Sequence, residues 1–292
     1  MHKSGFVNIL GKPNVGKSTL MNALVGEKLS IITSKAQTTR HRIFGILNGE
    51  DFQIILSDLP GIINPNYKMQ ASMMSFIRTS LEDADLILYL VEAGDTIANQ
   101  PKEYEIIKQM EVPVLLLINK IDTKTQAEVK EILVEYSLDF PKATIMPMSV
   151  LQNYNVKETY LWMLDRLPEG PAYYEKDALT DKPERFFMSE IIREKILLNY
   201  GQEIPYSCEV VVNSFKEEEK IVRISATIYV NRKSQKPIII GKNGSMLKKV
   251  GTEARIDMEK FLGKQVFLET FVKVLENWRD NDITLRNFGY KE

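Results

Sequence analysis

Two glycines five positions apart, followed at once by Lys-Ser, form the string Gly11-Lys12-Pro13-Asn14-Val15-Gly16-Lys17-Ser18, with Thr19 continuing into a helix-like run. The apolar stretch Phe6–Leu10 precedes it. In that setting the string has a mechanism. Glycines let backbone N–H groups close around phosphate oxygens at a helix N-terminus, Lys17 reaches the terminal phosphates, and the Ser18 hydroxyl ligates Mg²⁺. The pattern selects a nucleoside triphosphate as ligand. It makes Lys17 a candidate for stabilising charge at the reacting phosphate.

Asn119-Lys120-Ile121-Asp122 follows the continuous apolar run Val112–Ile118, which reads as a buried parallel strand. Ligands gather at the carboxyl ends of such strands. Guanine offers two adjacent donors to a carboxylate, and adenine offers no matching pair, so Asp122 selects guanine while Asn119 and Lys120 buttress the loop. Asp58-Leu59-Pro60-Gly61 ends a third apolar stretch, Phe52–Leu56. An Asp there holds Mg²⁺ through its water shell, and the Gly61 N–H meets a γ-phosphate. GTP and GDP are therefore the expected ligands, with Mg²⁺ as cofactor.

These strings resemble the nucleotide domain of translation-factor-related GTPases. The resemblance implies a switch-loop threonine that closes on Mg²⁺. Ala36–His41 holds two candidates, Thr39 and its neighbour Thr38, with Thr39 preferred. It also implies a base-contact loop at Met148-Ser149-Val150, where Val150 stands in place of the usual Ala. Ras-like enzymes carry a water-orienting glutamine after the Asp-x-x-Gly; this chain has Ile62. Slow intrinsic hydrolysis follows as an expectation. Asn14 is either a turn residue or, as the resemblance suggests, a ligand for K⁺ whose charge replaces an arginine finger. The candidate catalytic set is Lys17, Thr39, Asn14 and Gly61.

The elements that must position these groups alternate along the chain. Strands are expected near Phe6 and over 42–47, 52–57, 86–92, 112–119 and 144–148, with helices between most of them. This gives a doubly wound α/β sheet. Asn48-Gly49 between two of the strands predicts a hairpin, hence one antiparallel edge strand.

At 292 residues the chain exceeds a nucleotide domain. Residues 1–170 are assigned to that domain and 171–182, flanked by prolines, to a linker. Residues 183–292 form a smaller α+β domain. Its most informative string is Pro237-Ile238-Ile239-Ile240-Gly241-Lys242-Asn243-Gly244, an apolar run turning through Gly-x-x-Gly into a helix bearing Lys248 and Lys249. Such a turn brings backbone N–H groups against phosphates of a single strand. The order helix, strand, strand, helix, turn, helix, strand resembles the bacterial (type II) KH arrangement.

Between Arg232 and Lys264 lie nine basic side chains against three acidic ones, while the whole chain carries a formal charge of −1. A nucleic-acid surface is thus local rather than global. Glu217-Glu218-Glu219 reads as a solvated hairpin tip. The single cysteine, Cys208, excludes internal disulfides and a Cys-rich zinc site, and reads as a small core residue. No apolar run reaches membrane-spanning length, and the start of the chain leaves no room for a signal sequence, so a soluble cytoplasmic protein is expected; a monomer is the expected state.

The two halves together, with the closing string Val274-Leu275-Glu276-Asn277-Trp278-Arg279-Asp280, resemble the Era-type GTPases. That resemblance implies a GTP-hydrolysing switch whose KH-like domain binds the 3′ end of small-subunit ribosomal RNA at Gly241, Lys242, Asn243, Gly244, Lys248 and Lys249. It implies a role in 30S subunit assembly, with peripheral contact at the inner face of the cell membrane as a further expectation. Asn243 departs from the glycine usual in that turn. A membrane-associated or signalling switch, its second domain binding protein or lipid headgroups, is the alternative; the apolar residues Ile238, Ile239, Ile240, Met246 and Leu247 beside the turn favour RNA bases.

Overall fold

The computed structural model describes residues 1–291. The chain divides into two compact units, one of 1–65 with 73–181, the other of 66–72 with the chain from Lys182 onward.

The first unit is built on β1 (Lys3–Gly11), α1 (Lys17–Val25), β2 (Ile43–Asn48), β3 (Phe52–Asp58), α2 (Lys68–Glu82, from Met73 on), β4 (Leu86–Glu92), α3 (Lys102–Gln109), β5 (Val114–Asn119), α4 (Gln126–Asp139), β6 (Thr144–Pro147) and α5 (Val156–Arg166). The sheet order is β2-β3-β1-β4-β5-β6, parallel except for the β2–β3 hairpin. All six residues of β5 are buried, as a strand covered on both faces requires. Each such aliphatic side chain contributes roughly 1.5–3 kcal/mol by leaving water. Tyr89, Tyr104, Tyr136 and Phe140 pack with Leu116 and Ile118 under α3 and α4. Thr125 and Glu128 start α4 with a reciprocal capping box, the Thr-x-x-Glu signature made structural.

The segment read as a linker has a definite place. Leu179 accepts a hydrogen bond from Ile46 N, and Asp181 Oδ1 accepts from Phe44 N. It thereby satisfies outward-facing amides of the edge strand β2, which would otherwise be an open pairing edge.

The second unit runs α6 (Glu184–Asn199), α7 (Ile204–Ser207), β7 (Cys208–Glu217), β8 (Ile221–Val230), α8 (Gln235–Ile240), α9 (Ser245–Leu262), β9 (Gln265–Val274) and α10 (Asp282–Asn287). Strands β7 and β8 are antiparallel and β8 and β9 parallel, so the three form a mixed sheet. Parallel neighbours need a crossover, which α8, the turn and α9 supply. Met188, Ile192 and Ile196 of α6 and Ala254 and Met258 of α9 are fully buried, as are Ala226 and Ile228 of β8. Cys208 is buried and its thiol donates to the Ile204 carbonyl. Trp278, legible in the sequence only as part of the closing string, is fully buried and donates Nε1–H to the Ser207 carbonyl at 3.1 Å. Among the described residues no helix is long and apolar enough to cross a membrane.

Candidate nucleotide and nucleic-acid sites

The phosphate loop leaves β1 at Gly11 and enters α1 at Lys17. Asn14 (φ 65°) and Gly16 (φ 108°) are left-handed. A side chain at Gly16 would place its Cβ 2.3 Å from Asn119 Nδ2, so the loop approaches the end of β5 as closely as glycine allows. A Cβ at Gly61 would stand 2.7 Å from Pro13 Cα, which sets the Asp-x-x-Gly segment directly against the phosphate loop. Pro13, Asn14, Lys17, Ser18, Thr19 and Gly61 line one pocket.

Lys17 is buried, and Nζ donates to the carbonyls of Gly11 (3.1 Å) and Lys12 (2.8 Å). Those bonds curl the side chain back over the loop whose phosphate it would meet. Burial draws its ammonium down to about 8, against the opposing pull of the Asp58 charge. Lys12 pairs with Asp95 at 2.8 Å.

Ser18 Oγ donates to Asp58 Oδ2 at 2.7 Å, and Thr39 Oγ1 lies 2.9 Å from Ser18 Oγ and 3.2 Å from the same carboxylate oxygen. Thr38 turns elsewhere, donating to the Lys35 carbonyl at 2.6 Å and meeting Thr33 Oγ1 at 2.7 Å. The structure therefore brings Thr39 to Ser18 and Asp58. Asp58 is fully buried, and burial pushes its carboxyl up from the ordinary range while the Ser18 bond and the Lys17 charge hold it down. The Ser30 hydroxyl also favours the charged form without making a directional bond, and Asp58 Oδ1 has no hydrogen-bond partner among the described residues. A buried carboxylate oxygen with no donor is costly unless a cation's charge or hydration shell meets it. Two hydroxyls and that oxygen are hard donors suited to Mg²⁺.

The candidate base-contact loop is held by Asn119. Its Nδ2 donates to the Val15 carbonyl at 2.7 Å, and its Oδ1 accepts from Val150 N at 3.2 Å. Asp122 is exposed, its Oδ1 accepting from Ser149 Oγ at 2.6 Å. Val150 contributes through its backbone, so its side-chain identity is unconstrained by that bond. Lys120 is left-handed (φ 64°) and pairs with Glu92 at 2.7 Å.

One anchor has no motif to announce it. Asn22 in α1 accepts from Leu29 N and Ser30 N and donates to the Ser30 carbonyl, fixing the chain as it enters the switch loop.

In the second unit, Gly241 (φ 74°), Asn243 (φ 52°) and Gly244 (φ 77°) shape the turn between α8 and α9. Asn243 is left-handed, a conformation asparagine tolerates better than other side-chain-bearing residues, which explains how it stands where glycine is usual. Lys242, Asn243, Lys248 and Lys249 lie at the surface, and the two α9 lysines border an open groove with Ser245, Thr252 and Glu253, the last 3.9 Å from Lys249 Nζ. The apolar run before the turn is helical rather than uniformly buried. Ile239 is core, whereas Ile238 is 49% exposed, because a helix puts neighbouring residues about 100° apart.

Two family models match, the 50S ribosome-binding GTPase over residues 6–120 and the KH domain over 203–279. GTPase Era of Clostridium kluyveri is 47% identical over the full length of both chains. A chloroplastic GTPase ERA-like protein of Oryza sativa is 44% identical over 99% of this chain and 70% of its own. Among solved structures, Era in complex with MgGDPNP and nucleotides 1506–1542 of 16S ribosomal RNA superposes with a TM-score of 0.95 at 39% identity, covering all of both chains. An Aquifex aeolicus Era variant bound to GDP and AlF₄⁻ gives 0.93, also at 39% identity, covering 99% of this chain and all of that one. Identity of this order over the full length of both chains, with one family model matching in each unit, leaves one assignment: this chain belongs to the Era family and is a GTPase.

Proposed function

We propose that the GTPase is a switch that binds the 3′ end of small-subunit ribosomal RNA and assists assembly of that subunit. The observation that carries the reading is the Gly241–Gly244 turn, with Lys242, Lys248 and Lys249 at the surface around it, in the same chain as the nucleotide site. The RNA fragment bound by the related Era structure supplies the ligand class.

At the nucleotide site Ser18 and Thr39 would hold Mg²⁺, with Asp58 acting through its water shell. The ion supplies charge neutralisation at the phosphates when bound. The chain's own groups do the rest. Lys17 places an ammonium against the terminal phosphates, Gly61 lets the sensor segment lie against the phosphate loop, and Asp122 pairs with guanine. Ile62 offers no water-orienting amide, so basal turnover is slow.

Replacing Lys242 and Asn243 by Asp sets two carboxylates where phosphates would lie. Affinity for a fluorescent single-stranded RNA of the ribosomal 3′ end should fall steeply, while GTP binding and basal hydrolysis stay near wild type. Unchanged anisotropy titrations at fixed salt would reduce the Gly-x-x-Gly to a structural turn and remove this reading.

A further inference from the structure

The sheet of the second unit has two faces, and the helices cover one. On β9 the alternation is clear: Val266 and Val272 point inward and are buried, whereas Gln265, Phe267, Glu269, Phe271 and Lys273 point outward and are exposed. Register carries the outward set onto β8, where Arg223 lies beside Phe267, Ser225 beside Glu269, Thr227 beside Phe271 and Tyr229 beside Lys273. On β7, Lys216 lies beside Arg223 and Ser214 beside Ser225. The C-terminal segment covers one end of this face through the Phe288 ring, 5.5 Å from that of Tyr229. The rest is open, with Phe267 46% and Phe271 50% exposed.

Two large aromatic rings held in water are costly unless something covers them. Their setting indicates what. The Arg223 guanidinium carbon lies 5.4 Å from the Phe267 ring centroid, and the side chain is half exposed. Lys216 and Lys273 carry no ion pair among the described residues. Glu269 is the one acid among the outward residues of β8 and β9, against Arg223 and Lys273; of the hairpin-end acids, Glu217 pairs with Lys264, and Glu218 pairs with Arg223 in a half-exposed contact that a phosphate would have to replace. The hydroxyl side chains Ser214 and Ser225 share this face, while Thr227, beside Phe271, is buried and accepts from Asn213 Nδ2 at 2.7 Å. Flat π-faces on a sheet, interleaved with cations and hydrogen-bonding groups, match single-stranded RNA. Bases stack on the rings and phosphates meet the basic side chains. A protein partner would want a broader aliphatic patch than two separated rings among charges provide.

We infer that the open face of the β7-β8-β9 sheet is a second single-strand RNA platform, on which unstacked bases lie on Phe267 and Phe271 while Lys216, Arg223 and Lys273 meet phosphates. It rests on the reading of this unit as RNA-binding, and adds a contact on the side of the sheet away from α9.

The test uses the full chain carrying Phe267→Leu with Phe271→Leu, which keeps apolar bulk and removes both π-faces. Two fluorescent RNAs are titrated at fixed salt, a short strand of about four nucleotides, the length a Gly-x-x-Gly turn clamps, and a strand of roughly twenty. The long strand should bind about ten-fold or more weakly for each ring lost. The short strand should bind as to wild type, and Phe→Trp at both positions should preserve long-strand affinity. Thiouridine in the long strand should crosslink to the peptide containing β9. Wild-type affinity of the Leu variant for the long strand, with crosslinks confined to α8 and α9, overturns the platform. So does a Leu variant that binds RNA normally but loses association with a ribosomal protein. Loss of binding in the Lys242→Asp, Asn243→Asp chain would meanwhile show that the first RNA site stands, so the two failures are separable.

Discussion

Asn119 Nδ2 donates to the Val15 carbonyl at 2.7 Å, which ties the end of β5 to the Gly11–Ser18 loop, the candidate base and phosphate subsites. The same carboxamide accepts from Val150 N, so one buried side chain joins three segments far apart in sequence. Asn119→Ala would leave the buried Val15 carbonyl and Val150 amide without partners. At about 1 kcal/mol or more for each lost bond, the variant should unfold at about 2 kcal/mol lower stability, read by denaturant titration. Guanine-nucleotide affinity should fall at least ten-fold, because base and phosphate subsites no longer hold a fixed separation. Unchanged affinity would mean that Asn119 is a packing residue only.

Asp122 is accessible, and Ser149 holds one of its carboxylate oxygens. Asp122→Asn replaces an acceptor by a donor opposite the exocyclic amine of guanine. Sites that pair buried polar groups reject a mismatched analogue by about 10⁴-fold. GTP affinity should drop on that order, and xanthosine triphosphate, which presents an acceptor there, should bind in its place. Competition between the two nucleotides measures the exchange; a variant that still prefers GTP has another base reader.

Lys17 sets a pH dependence with a definite sign. Its ammonium titrates at about 8 in the free protein because it is buried, and a triphosphate beside it must raise that value. Below pH 8 the side chain is already charged and binding takes up little proton. Above it, binding must add one, so affinity falls as pH rises, by about ten-fold at pH 9. Calorimetry in buffers of different ionisation enthalpy should show proton uptake growing from pH 7 to pH 9. Uptake independent of pH would place the Lys17 titration elsewhere.

How much of this was legible in the sequence depends on whether a residue's role is local. The phosphate loop and the Asn119–Asp122 string are contiguous and lie at strand ends, so spacing and apolar runs were enough to locate them. The choice between Thr38 and Thr39 was not local, since both hydroxyls precede β2 and only the folded loop directs one to Asp58 and the other to Lys35. Asn22 sits within a helix and bonds a segment seven and eight residues on, where no motif marks it. Ile238 and Ile239 looked alike in an apolar run, and helical rotation separated them into surface and core. The stretch before Lys182 lacked periodicity because it serves β2 through Leu179 and Asp181 rather than forming an element of its own.

Asn14 has a turn role in the structure and a proposed cation role to divide. Its backbone is left-handed at φ 65°, and Nδ2 donates to the Ser34 carbonyl at 2.8 Å, so the side chain orders the turn and the start of the switch loop. Oδ1 makes no hydrogen bond among the described residues, and Asn14 lines the same pocket as Lys17, Ser18 and Gly61. An amide oxygen there suits a large monovalent cation, whose charge would act on the transition state and stand in for the absent glutamine and arginine. Turnover should rise about ten-fold or more when K⁺ replaces Na⁺. Asn14→Gly keeps the left-handed backbone at no steric cost, which isolates the side chain. That variant should lose the K⁺ response while holding GTP affinity within a few-fold, since the ion acts on developing charge rather than on ground-state binding. Equal wild-type rates in the two salts, measured at matched ionic strength, would confine Asn14 to its turn and leave faster hydrolysis to a partner.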